Sequence, residues 1–120
     1  MITLKIEGLK ELVDEYGSVK PDALKTGLRR GIILASVYAQ GEARRIVPVD
    51  TGHLRRNIWY RTENDGVRGV IGSNVEYARV VELGIGRRKP RPYLIPSVAE
   101  PRNQERIATL IRNEIIKAVK

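Results

Sequence analysis

The chain has 120 residues, no cysteine and a formal net charge of +8, from 22 Lys and Arg against 14 Asp and Glu. That length predicts a single domain over 1–120 with one core. The lack of cysteine excludes disulfides and thiolate metal sites and suits a reducing cytoplasm. No apolar run approaches the ~20 residues of a membrane span and no secretory leader is read at the start, so no membrane partner is expected. The basic balance favours polyanions: nucleic acid, acidic lipid or an acidic protein.

In chain order, Thr3-Leu4-Lys5-Ile6 alternates and predicts a short edge strand. Leu9, Leu12 and Val13 predict a short amphipathic helix from Gly8 to Tyr16, ended by Gly17-Ser18. The longest element runs from Pro21 to Ile46. Leu24, Leu28, Gly31, Ala35 and Tyr38 form one stripe, with Ile32, Ala39, Ala43 and Ile46 beside it. Gly27, Gly31 and Gly41 each cost such a helix about 1 kcal/mol, which points to close approach by another backbone.

Pro48 ends that helix, and Asp50 is placed to cap a short turn through Leu54 and Arg55. Strand patterns at 57–63 and 67–73 flank Asn64-Asp65-Gly66, a hairpin signal. Gly69 and Gly72 in the second arm suggest a bulge or a close neighbour. A short helix over 76–83 stops at Gly84. A loop with Arg87, Arg88, Lys89 and Arg91 follows; Pro92, Pro96 and Pro101 then punctuate Tyr93-Leu94-Ile95. The last helix, about 102–119, turns Ile107, Leu110, Ile111, Ile115 and Ala118 inward.

Asp50-Thr51-Gly52 after an apolar run is also the shape of an aspartic-protease motif. Such a site needs two carboxylates sharing one proton, which a small retroviral-type enzyme obtains by dimerising. Gly84-Ile85-Gly86-Arg87 even mimics a late segment of those enzymes. Against this, they are β-rich, whereas a long helix directly precedes Asp50 here, and His53 stands where a small residue is usual. His53 is the only histidine and lacks the partners of a metal site, so it reads as a surface or capping residue. No catalytic, cofactor or metal residue is assigned. The few aromatics do not cluster with arginine as a base-stacking platform, so any nucleic-acid contact would be to phosphate. A small basic nucleic-acid-binding protein is one alternative, although no helix-turn-helix pattern is read.

Three segments then fall in order: Pro48-x-Asp50-Thr51-Gly52-x-Leu54, Tyr77-Ala78-x-x-Val81-Glu82-x-Gly84, and Arg91-Pro92-Tyr93-Leu94-x-Pro96. Together they resemble the head–tail joining, or neck and tail-completion, proteins of long-tailed bacteriophages. The resemblance implies a non-enzymatic virion component, assembled in the host cytoplasm. It implies an α+β fold, a small antiparallel sheet packed by a long helix of the N-terminal half and a C-terminal helix. It implies a homo-oligomer, commonly a hexameric ring around the DNA channel, contacting neighbouring neck and tail proteins. A tail terminator or other minor tail protein is the related alternative, and a dimeric protease using Asp50 the remote one. Arg87, Arg88, Lys89 and Arg91 are the candidates for contact with passing DNA or a neighbouring subunit. Glu82, at the end of its helix, needs a partner, for which Arg55 or Arg91 is the expectation.

Overall fold

A computed structural model describes residues 2–6, 21–48, 52–84, 86–87 and 89–119. The helix expected over 8–16 lies outside them. Three strands, β1 (Ile2–Ile6), β2 (Ile58–Glu63) and β3 (Arg68–Ser73), form one antiparallel sheet in the order β1-β3-β2. Helices α1 (Pro21–Ile46), α2 (His53–Arg56), α3 (Ala78–Leu83), α4 (Leu94–Ala99) and α5 (Pro101–Val119) complete the chain. The architecture is α+β, with α1 and α5 the two long helices and α1 laid on the sheet.

Helix α1 begins at Pro21, whose missing N–H costs nothing in a first turn. At 26 residues it spans about 39 Å, most of the long dimension of a molecule measuring 52 × 22 × 20 Å. Along one ridge the side chains are small at every fourth position: Gly27, Gly31, Ala35, Ala39 and Ala43, all buried. Helix α5 runs antiparallel against α1. A Cβ on Gly27 would sit 2.6 Å from Ile115 Cα, and one on Gly31 would sit 2.6 Å from Ile111 Cα. Those two glycines are therefore sites of backbone approach. Gly41 is not: nothing lies within 4 Å of its would-be Cβ, and it faces outward.

Ile107, Ile111 and Ile115 close the core from the α5 side, with Leu110 and Ala118 half-buried at its margin. Leu24, Leu28 and Ile32 of α1 share that core with Ile58 and Ile71 of the sheet. The strand β3 is central, so Gly69 and Gly72 each face two neighbours, Ile6 and Thr62 in one case, Thr3 and Trp59 in the other. Pairing runs through both without a bulge.

The hairpin tip is tied to α1. Asn64, Asp65 and Gly66 all have positive φ (53°, 60° and 84°), the conformation of a tight left-handed turn that these residue types tolerate best. Arg29 lies against Gly66, and its guanidinium donates to both the carbonyl and the carboxylate of Asp65 (2.8 and 2.7 Å). Lys25 pairs with the same carboxylate. Hydrogen bonding from Lys25 first, then Arg29, holds the Asp65 carboxyl below the ordinary aspartate range. At the other end of β2, Gln40 Nε2 and Arg44 Nη2 donate to the Ile58 carbonyl (2.8 and 3.3 Å).

Candidate assembly surface

The three sequence segments meet around α2, α3 and α4. The first is only partly visible, because Asp50 and Thr51 lie outside the described residues. Pro48 is half-buried past the end of α1. The cap position of α2 is Gly52, at φ 77°, with no side-chain cap. Leu54 enters the core, as the spacing predicts, while Arg55 stays exposed. His53 is exposed, its ring centroid 6.1 Å from that of Tyr77, and Asn57 Nδ2 donates to its carbonyl at 2.7 Å.

The second segment forms α3. Ala78 and Val81 are buried and Val80 is half-buried. Tyr77 stands at the cap position of the helix and is 42% exposed. Gly84 ends the helix at φ 65° and donates its N–H to the Val80 carbonyl at 2.8 Å.

Glu82 is the centre of the arrangement. It is 1% exposed, and among the described residues neither Arg55 nor Arg91 forms an ion pair with it. Its carboxylate accepts three backbone hydrogen bonds instead: Oε1 from Tyr93 N (3.0 Å) and Leu94 N (2.7 Å), Oε2 from Ile95 N (3.1 Å). These are the cap and first two positions of α4, where N–H groups have no partner inside the helix and the dipole favours an anion. The next position is Pro96, which has no N–H to satisfy. The second and third motifs are thus one device: an acid near the end of α3 caps the helix that begins twelve residues later.

Arg91 contributes its backbone N–H to the Val81 carbonyl (2.7 Å), while its side chain points to solvent. The intervening loop is therefore drawn closed at its base. Gly86, Arg87, Lys89, Pro90 and Pro92 are exposed along it, and Ile85 and Arg88 lie outside the described residues.

Tyr93 and Leu94 are fully buried below the clasp. Among the described residues the Tyr93 hydroxyl makes no hydrogen bond of good geometry. Burial, and then the Glu82 carboxylate, push its pKa up to about 12, against a smaller opposing pull from the nearby Ser73 hydroxyl.

Two groups with no motif to mark them complete the corner. Tyr38 Oη donates to Asn103 Oδ1 (2.7 Å), and Asn103 Nδ2 donates to the Pro96 carbonyl (2.8 Å), joining α1, α5 and α4. Asn103 is fully buried. It falls on the same four-residue series as Ile107, Ile111 and Ile115, so a polar residue on an apolar stripe was the signal available. Nearby, Glu42 pairs with Arg45 (2.9 Å) and Arg102 (3.1 Å), and the Arg45 hydrogen bond leads in lowering its pKa.

Among the described residues, no helix is long and apolar enough to cross a membrane, and no group of His, Cys, Asp and Glu is placed to hold a metal. Comparison with known proteins finds no match among curated proteins or solved structures. The family model HK97-gp10-like, described as "Bacteriophage HK97-gp10, putative tail-component", matches residues 6–84. That span is more than half of the chain and includes the first two motifs and Glu82. The chain belongs to the HK97-gp10-like family of bacteriophage tail components.

Proposed function

We propose that this tail component acts in head–tail joining or tail completion, as a homo-oligomeric ring, commonly six-fold in such assemblies, around the DNA channel. Its work is assembly and not catalysis. The observation that carries this reading is an apolar stripe on the outer face of α1. Ile33, Leu34 and Val37 are 44%, 41% and 45% exposed on adjacent turns. Large side chains grouped on an outer helical face mark a surface made to be covered. The strand β2 adds a second candidate. It is an edge of the sheet, and the alternation that turns the Ile58 carbonyl toward Gln40 leaves the backbone groups of Tyr60 and Thr62 on the same open side. An edge left open in this way is a template for pairing. Ring closure requires heterologous contacts of this kind, repeated by rotation.

The hairpin, the 84–92 loop and α5 are the proposed contacts with other copies and with neighbouring neck and tail proteins. Arg87, Arg88, Lys89 and Arg91 also offer non-specific contact with DNA in transit. The family's tail-component description favours a second reading, a tail terminator or other minor tail protein built on the same ring. Native mass measurement, alone and with the adjoining neck and tail components, tests the proposal. A defined oligomer that Val37→Glu dissociates is expected. A chain that stays monomeric in every mixture and is absent from purified particles would sink it.

A further inference from the structure

Val80, Val81, Lys89 and Arg91 line a notch of about 300 Å³ between α3 and the loop behind it. Its two sides differ in chemistry. The valines make an aliphatic floor, Val81 buried and Val80 half-buried. Lys89 and Arg91 are exposed cations, and neither forms an ion pair among the described residues. The cationic side is held in place by its backbone. Arg91 N–H is bonded to the Val81 carbonyl, and two residues later Glu82 grips Tyr93, Leu94 and Ile95. Pro90 and Pro92 each confine the residue before them, Lys89 and Arg91, to extended backbone. The backbone there has little freedom left to lose on binding.

We infer that this notch takes an acidic segment of a neighbouring virion protein, one carboxylate between Lys89 and Arg91 and an aliphatic side chain on Val80 and Val81. The inference rests on the assembly role proposed above and names the chemistry of one partner. A phosphate backbone would satisfy the cations but brings no aliphatic group to cover the valines. A second copy of this chain is a poorer donor, because among the described residues five of its nine acids are already engaged. Glu42, Glu63, Asp65 and Glu114 are paired with cations of their own chain, and Glu82 is buried in its clasp.

The test uses the full chain and three fluorescein-labelled probes: a short peptide alternating Glu and Leu, one alternating Glu and Ser, and a short DNA duplex. Anisotropy titrations at one ionic strength should rank the Glu-Leu peptide tightest. The double variant Lys89→Glu with Arg91→Glu should weaken it about tenfold or more. Lys89→Gln, an exposed single change that leaves the backbone contacts intact, should weaken it by a smaller factor and keeps the test available if the double variant misfolds. Equal binding of the two peptides, duplex binding as tight as the Glu-Leu peptide, or indifference to both variants would each overturn the inference. Oligomeric state, read separately by native mass, shows whether the assembly reading stands when the notch does not.

Discussion

Leu94 N lies 2.7 Å from Glu82 Oε1, and that bond ties the end of one helix to the start of another across an eight-residue exposed or undescribed loop. Charged acceptors for backbone donors at a helix start are among the stronger hydrogen bonds. Glu82→Ala leaves three donors without an acceptor in a buried setting. It should cost about 3 kcal/mol or more, measured by denaturant unfolding, because orphaned donors carry their full desolvation penalty. Glu82→Gln keeps one oxygen acceptor and should cost less. An alanine variant within about 1 kcal/mol of the parent would mean that water replaces the carboxylate freely.

The glycines of α1 give a paired expectation. Alanine is the better helix former by about 1 kcal/mol, so Gly41→Ala, into open space, should stabilise by up to that amount. Gly31→Ala places a methyl 2.6 Å from Ile111 Cα, where backbone must move, and should destabilise by about 1–3 kcal/mol despite the same propensity gain. Thermal melts of the two variants should shift in opposite directions; shifts of the same sign would contradict the close approach.

Tyr93 carries a buried hydroxyl that makes no hydrogen bond of good geometry among the described residues. Tyr93→Phe keeps the buried ring and should leave stability equal or raise it, within about 1 kcal/mol. The sign of its pH dependence follows from the direction of the shift. With the folded pKa raised above the ordinary tyrosine value of 10.0, the contribution is intact below that pH and is lost as pH rises toward about 12. Denaturation midpoints of parent and variant should diverge across that alkaline window, the parent falling faster, because only the parent carries this titration. A steeper alkaline loss in the variant would refute the assignment.

Asp65 titrates in the opposite sense. Its pKa is lowered from 3.8, by Lys25 first and then Arg29, so its contribution holds above that value and fades as pH falls through the depressed one. The carboxylate is exposed, so the effect should be small and should shrink with salt. Asp65→Asn suits the positive φ of 60° and should preserve the turn while removing this titration. Carboxyl chemical shifts followed by NMR should place the Asp65 midpoint below 3.8; a midpoint at or above it would remove the two cations as its partners.

Much of this fold was legible in the residues. Long stretches of period 3.6 and 2 mark α1, α5 and the hairpin, because burying one face is a repeated signal. Single contacts are harder to read. The helix α4 hides behind its prolines, which suggest a broken segment. Pro96 and Pro101 in fact occupy first turns of α4 and α5, where a missing N–H is harmless. Glu82 reads as an acid in need of a cation. Its partners are backbone N–H groups, which no side-chain pattern advertises. Tyr77 carries an aromatic side chain at helical spacing, yet it sits at the cap, where the helix has not turned it inward. The corner at Asp50 and Thr51, the first feature to suggest chemistry, lies outside the described residues, and only its flanks, Pro48, Gly52 and Leu54, are placed.

The ridge of small residues on α1 is not uniform. Gly27 and Gly31 admit bare backbone, whereas Ala35, Ala39 and Ala43 each present a methyl group. Sliding α5 by one turn in the direction that carries Ile111 from Gly31 to Ala35 would drive main chain into that methyl. The two glycines therefore act as an index that sets where α5 stops along α1. Through Asn103 and the Pro96 carbonyl, the same stop fixes how far the loop stands from the hairpin tip. Two hydrogen atoms in place of side chains thus set that distance.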